Sequence, residues 1–156
     1  MRIFIPGNVP SSKNSKIKTS KGIFFSKTVR RYLQKIGVKN YSIRRKSVED
    51  YKRRPNLFEE AVAPMRDYLK DKQPPFLVGI HFVRGSKHRF DIINVFQIVA
   101  DLLVAHRVIS DDSANYLIPI PIQFKELWYS YDKNNPGVWL VVLAKNDVEK
   151  LNYFFE

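Results

Sequence analysis

The sequence predicts a single small α+β domain, a mixed α/β arrangement in which a mixed sheet packs with helices, one of them a central helix over 91–105. Three observations carry this expectation. A chain of 156 residues with 44% hydrophobic content is long enough to bury a core as one unit. Short apolar runs bounded by Gly, Pro and Asn are interspersed with segments of helical composition. No internal repeat, low-complexity tract or linker divides the chain, so 1–156 reads as one domain with a basic amino-terminal part, 1–54.

In chain order, residues 2–5 read as a short strand ended by Pro6-Gly7, and 10–15 as a polar surface loop. Residues 22–26 form a second strand around Ile23, Phe24 and Phe25. A helix over 28–35 follows, with Ser26 or Thr28 as its N-cap. The stretch 37–54 is basic and polar and resists assignment. Asn56 can cap a helix over 57–70 whose first turn carries Glu59 and Glu60 against the positive end of the helix dipole, while Pro64 should kink or divide it. Residues 76–83 are a strand, ending in the cationic run Arg84-Gly85-Ser86-Lys87-His88-Arg89. Asp91 caps the helix that reaches about Ala105, and 110–115 is a polar turn. Residues 116–124 and 138–143 are two further strands on either side of a loop containing Asp132 to Gly137. The aromatic end Tyr153-Phe154-Phe155 is expected to dock on the domain or on a partner.

Composition narrows the chemistry. The chain has no cysteine, which excludes disulfides, thiolate metal sites and a cysteine nucleophile, so a metal would be held by oxygen or by the three histidines. A hard cation fits best. His81, His88 and His106 lack zinc-like spacing and receive no catalytic role. No signal-like segment is evident and the longest apolar run, 138–144, is too short to cross a bilayer, so a soluble cytoplasmic protein with no membrane partner is expected.

The net charge of +12 is unevenly spread. Residues 1–54 contain 16 Lys and Arg against two acids, a balance of +14, and the remainder is slightly acidic. Lys13, Lys16, Lys18, Lys21, Lys27, Arg30 and Arg31 form one group; Arg44, Arg45, Lys46, Lys52, Arg53 and Arg54 form another, with Tyr32, Tyr41 and Tyr51 interleaved. A surface that neutralises phosphates has this footprint, and nucleic acid is the leading partner. A solvated basic face, a membrane surface or an acidic protein partner would satisfy the same charge.

Four carboxylates fall within 22 residues: Asp91, Asp101, Asp111 and Asp112. On a helix beginning at Asp91, Asn94, Gln97 and Asp101 lie about 60° to 120° away from it, all on one face. The other positions are apolar, so the polar stripe is expected to face a cation, an arginine or a hydrogen-bond network rather than bulk water. After about 20 Å of helix, eight or nine extended residues span roughly 27–30 Å, enough to bring Asp111 or Asp112 back towards Asp91. The oxygen donors would then suit Mg²⁺ or Mn²⁺ beside a phosphodiester. Plain structural readings stand beside this one: Asp91 as an N-cap, Asp101 as a solvated helix position, Asp111-Asp112 as a turn.

Arg89-Phe90-Asp91-Ile92-Ile93-Asn94, Gln97, Asp101-Leu102-Leu103 and Ile109-Ser110-Asp111-Asp112 together resemble the signature of the RusA-like Holliday junction resolvases. That signature is Arg-x-Asp-x-Asp-Asn, then Lys, then Asp-x-Leu, then Asp-Asp. Pro10-Ser11-Ser12-Lys13-Asn14 is similar to the family's Pro-Ser-x-Asn segment. The resemblance implies a homodimeric, Mg²⁺-dependent endodeoxyribonuclease, often of phage origin, acting on four-way junctions in DNA recombination and repair. Carried over, Asp91 and Asp112 would be metal ligands with Asp111 beside them, and Asn94 and Asp101 would support catalysis. Candidate DNA contacts are Lys13, Asn14, Lys16, Arg30, Arg31, Arg84, Lys87 and Arg89. Ile93 stands where the family has a second metal-binding Asp, and Gln97 where it has a Lys. The alternative expectation is a branched-DNA-binding protein of the same fold with little cleavage.

Overall fold

Nine consecutive residues, Phe76–Arg84, form β4, the strand around which the sheet is assembled in the computed structural model. Residues 1–13, 16–20, 22–38 and 56–143 are described. Asn14, Lys21, Tyr41, Tyr51, the second basic group at 44–54 and the aromatic end at 153–155 lie outside the described residues.

The remaining elements are β1 (Arg2–Pro6), β2 (Lys16–Thr19), β3 (Gly22–Phe25), α1 (Lys27–Lys35), α2 (Leu57–Leu69), α3 (Ile92–Ala105), β5 (Leu117–Pro121), β6 (Tyr129–Tyr131) and β7 (Gly137–Val142). The sheet is mixed, in the order β1-β7-β4-β5. β7 pairs antiparallel with both β1 and β4, whereas β5 and β6 run parallel to β4. A parallel neighbour needs a crossover, and α3 supplies it between β4 and β5. β2 and β3 make a separate antiparallel hairpin. The domain is therefore α+β, as its sequence predicts.

Burial explains the pairing. β4 buries five consecutive residues, Val78 to Phe82, the pattern of a strand covered on both faces. Phe58, Val62, Met65 and Leu69 recur at helical spacing and form the buried stripe of α2, which packs against β1. Pro64 does not divide α2. It sits on the exposed side, where the carbonyl left without an intrahelical donor belongs to exposed Glu60 and meets solvent. At Gly137, opposite Pro6, any side chain would collide with the Phe4 ring and the Ile5 carbonyl, so close β1–β7 pairing requires glycine there.

Two strands have no counterpart in the sequence reading. β2 lies in the cationic stretch 16–19, and β6 lies in what reads as part of a long loop. α3 also differs from expectation in its surroundings. Its apolar side, Val95, Phe96, Ile98, Val99, Leu102 and Leu103, is buried within the chain's own core. Its polar face carries the expected hydrogen-bond network, Asn94 with Asp91 and Gln97 with Asp101 and Asp112, yet it lies open to solvent: Asp91 and Gln97 are exposed, and Ile93 is 75% exposed.

Both α1 and α3 end in the same hydrogen-bonded turn. After α1, Gly37 at φ 80° lets Val38 N–H reach the Leu33 carbonyl at 2.8 Å. After α3, Val108 N–H reaches the Leu103 carbonyl at 2.9 Å and Arg107 N–H the Val104 carbonyl at 3.0 Å, but the left-handed position is Arg107, at φ 57°. Buried Val108 and Ile109 then carry the chain away from the helix end. Arg66 of α2 secures the same end: its Nε and Nη2 donate to the His106 carbonyl at 3.1 and 2.7 Å, while Nη1 and Nη2 grip Glu59 at 2.6 and 2.8 Å.

Candidate functional site

The site begins where β4 ends. Arg84 closes the strand, the exposed loop residues Lys87, His88 and Arg89 follow, and Asp91 starts α3. Asp91 is the N-cap: its Oδ1 accepts from the Ile93 and Asn94 amides at 3.0 and 3.3 Å, and its Oδ2 accepts from Asn94 Nδ2 at 2.8 Å. Asp91 and Asn94 are thus partners of each other, and the capping reading of Asp91 holds.

The second polar group lies further along the helix, about 9 Å by the rise from residue 91 to 97. Gln97 Nε2 donates to Asp101 Oδ1 at 3.0 Å and to Asp112 Oδ2 at 3.1 Å. The second contact follows the turn at Arg107, which ends the helix and redirects the chain so that Asp112, five residues on, reaches back to Gln97. Asp112 therefore meets the helix at Gln97. Asp111 faces a different partner, the Ser113 hydroxyl, which with the amides of Asp112 and Ser113 holds its carboxyl below the usual range.

Asp101 is pushed above the ordinary carboxylate range, first by partial burial and then by the charge of Asp112. The Gln97 hydrogen bond and the charge of Lys16 oppose this without cancelling it. Two acids on one amide, with a lysine nearby, leave an excess of negative charge that favours a cation. Asp101 and Asp112 have the oxygen chemistry of Mg²⁺ or Mn²⁺, which take one or two carboxylates and complete their shell with water and phosphate. Among the described residues, no three His, Asp or Glu side chains are grouped so as to hold a metal ion by themselves.

The basic residues approach this face through a backbone bond. Ser12 N–H donates to the Asn94 carbonyl at 2.7 Å, pinning the loop after β1 to the first turn of α3. Lys13 at the loop tip and Lys16 on β2 are exposed, as are Arg30 and Arg31 on α1 and Lys87 and Arg89 before α3. Arg84 is not a surface cation. It is 9% exposed, its Nη1 donates to the Val9 carbonyl at 2.7 Å, and its guanidinium stacks 4.6 Å from the Phe90 ring centroid. Its place at the end of a buried strand takes it into the interior despite the cationic run that follows. Asn14 lies outside the described residues.

His81 is buried, with ring nitrogens 3.2 Å from the Ile122 carbonyl and 3.0 Å from Ser130 Oγ, a structural position. His106 caps α3 and packs on Phe58. One surface has no counterpart among the residues singled out from the sequence, the exposed aromatics Phe124, Trp128, Tyr129 and Tyr131. The run Leu127-Trp128-Tyr129-Ser130-Tyr131, rich in strand-forming aromatics, is the signal that could have revealed both β6 and this surface. Among the described residues, no helix is long and apolar enough to cross a membrane. No family model matches the chain, and no curated protein does.

Proposed function

We propose that this protein is a metal-dependent, structure-specific DNA endonuclease that hydrolyses phosphodiester bonds in four-way or related branched DNA. The observation that carries the reading is the joining of Asp101 and Asp112 by one Gln97 amide, beneath a loop that brings Lys13 and Lys16 to the same helix. Carboxylates for a hydrated divalent cation and lysines for the flanking phosphates are the two requirements of hydrolysis on a polyanion. The motif resemblance across 89–112 supports the same class.

Asp101 and Asp112 would hold Mg²⁺ or Mn²⁺, with Asp91 and Asn94 at the adjoining helix start. The cation supplies Lewis acidity towards a phosphoryl oxygen and lowers the pKa of bound water. The chain's own contribution is positional. Gln97 spaces the two carboxylates, the turn at Arg107 returns Asp112 to the helix, and the exposed Lys13, Lys16, Lys87 and Arg89 provide charge for DNA. Two opposed nicks in a four-way junction call for two copies of the site, so the reading includes a homodimer on the junction.

Incubation with four-way junction, fork and linear duplex DNA in Mg²⁺ or Mn²⁺ tests this. Nicking of branched substrates by the wild type and its loss in Asp112→Asn are expected. Absence of nicking in either metal, with the two proteins indistinguishable, would overturn the reading. A second reading, branched-DNA binding with little cleavage, is favoured by one observation: the neutral Gln97 amide already satisfies one oxygen of each acid. It predicts salt-sensitive junction binding without nicking.

A further inference from the structure

β5 and β6 are two halves of one sheet edge. Residues 117–121 pair with 76–80, and 129–131 pair with 82–84, both parallel to β4. Between them the chain leaves the sheet in a two-residue hairpin closed by Phe124 and Leu127, whose backbones exchange hydrogen bonds at 2.9 and 3.0 Å. Both central residues, Lys125 at φ 49° and Glu126 at φ 65°, are left-handed, as the tight turn requires although neither is glycine. The result is a hairpin that projects from the sheet edge between β5 and β6. Phe124, Leu127, Trp128, Tyr129 and Tyr131 remain 46–57% exposed on or beside it.

Tyr129 and Phe124 are held without being covered. Tyr129 stands edge-on to Phe90, with centroids 5.0 Å apart, and Phe124 is edge-on to buried His81 at 5.8 Å. Cations flank the rings: Lys125 Nζ lies 5.6 Å from the Phe124 ring centroid and Lys87 Nζ 5.5 Å from that of Tyr131. Exposed His88 and Arg89 continue the loop that carries Lys87. Phe90 joins this surface to Asp91, so the aromatic edge runs directly into the start of the acidic helix.

We infer that the 124–131 edge is a stacking platform for unpaired DNA bases beside the acidic face. Anchored aromatic faces interleaved with lysines match the way proteins hold single strands, with rings under the bases and cations along the phosphates. Strand addition by a protein partner is disfavoured on the β5 half, where Pro119 and Pro121 have no amide to donate. Self-association through the platform would set Lys87 and Lys125 of two copies near one another. The inference rests on the DNA reading above for the identity of its ligand, and not on cleavage. Forks and flaps offer unpaired bases in their single-stranded arms, and a four-way junction does so once its centre is opened; a continuous duplex does not.

Trp128 and Trp139 are the only tryptophans, so Trp139→Phe leaves Trp128 as the sole indole reporter. Titrating that protein with a 15-nucleotide oligothymidylate should quench its emission. Trp128→Ala and Tyr131→Ala, compared with wild type by anisotropy of the labelled oligonucleotide, should each weaken binding roughly five- to hundredfold. Trp128→Phe should retain most of the affinity, and binding to a blunt duplex should be unchanged in all variants. Both side chains are about half exposed, so the variants should fold, which circular dichroism checks. Wild-type affinity for oligothymidylate in both alanine variants would overturn the platform while leaving the DNA reading intact. The same would follow if those variants only lowered the sedimentation mass, marking the edge as a self-interface. A wild type that binds neither single-stranded, duplex nor branched DNA would overturn both.

Discussion

The amide of Ser12 donates to the carbonyl of Asn94 at 2.7 Å, tying the loop after the first strand to the first turn of α3. One bond between residues 82 positions apart brings the basic amino-terminal segment to the acidic helix. Lys16 then lies close enough for its charge to act on Asp101. Ser12→Pro removes this donor and should cost about 1 kcal/mol or more of stability. It should also lower affinity for DNA if the loop positions Lys13 and Lys16. Urea denaturation and DNA anisotropy on the same preparation check both effects.

Asp101 is held above its ordinary pKa, so its ionised form is disfavoured by the fold. An acid whose folded pKa is raised binds its proton more tightly when native. Its unfavourable contribution is present at neutral pH and fades as pH falls through the folded value. Asp101→Asn should therefore stabilise the protein at neutral pH, by a few tenths of a kcal/mol after solvent screening. The gain should shrink in acid, while nicking is lost. Denaturation midpoints of the two proteins at neutral and acidic pH measure the difference.

Gln97 separates two acids, and its replacement has a direction. Gln97→Ala removes both donated bonds and should destabilise by about 1 kcal/mol, with a further rise in the Asp101 pKa. Gln97→Lys puts a cation between the acids and should lower that pKa, which carboxyl NMR titration reads. Ile93→Asp lies at an open helix position, so its effect on stability should stay within about 0.5 kcal/mol. Combining Ile93→Asp with Gln97→Lys should raise metal-dependent nicking.

Arg107 occupies the left-handed position of a helix-ending turn that α1 completes with Gly37. A side chain there costs about 1 kcal/mol relative to glycine, partly offset by the greater freedom glycine gives the unfolded chain. Arg107→Gly should raise stability by several tenths of a kcal/mol, since the turn and the return of Asp112 to Gln97 are preserved. Thermal denaturation decides it; a loss of stability would mean that the Arg107 side chain supports the fold.

Acid should loosen the junction of α2 and α3 in two steps. Burial depresses the His106 pKa below its ordinary 6.5, so its contribution is present above that value and lost as pH falls through the lower folded value. Glu59, depressed below 4.5 chiefly by its hydrogen bonds to Arg66, follows at lower pH with the same sign. Stability should decline first below about pH 6.5, and His106→Gln should flatten that first step. Equilibrium denaturation across this range tests it.

Local chemistry was sufficient for much of the fold. Asn56 with Glu59, Ser26 before a basic helix, and Asp91 before fourteen helical residues announced their helices, because a cap and its first turn are a few residues apart. The strands 2–6, 22–25 and 76–84 were legible for the same reason. Pro64 was misleading as a helix breaker because its cost depends on whether the orphaned carbonyl meets solvent. β6 had only the short aromatic run 127–131 to announce it, because three residues hold as a strand only when β4 lies alongside.

The sequence by itself determined the α+β class, the polar face of one helix and the charge asymmetry, all properties of residue identity and short-range spacing. Only the tertiary structure decided which acids meet. It turned the chain at Arg107 so that Asp112 joined Asp101 through Gln97, left Asp91 to its cap and to Asn94, and turned Asp111 towards Ser113. It also drew Arg84 inside and left the 124–131 aromatics outside. Spacing limits how far a carboxylate can reach, but turn geometry and core packing set where it arrives.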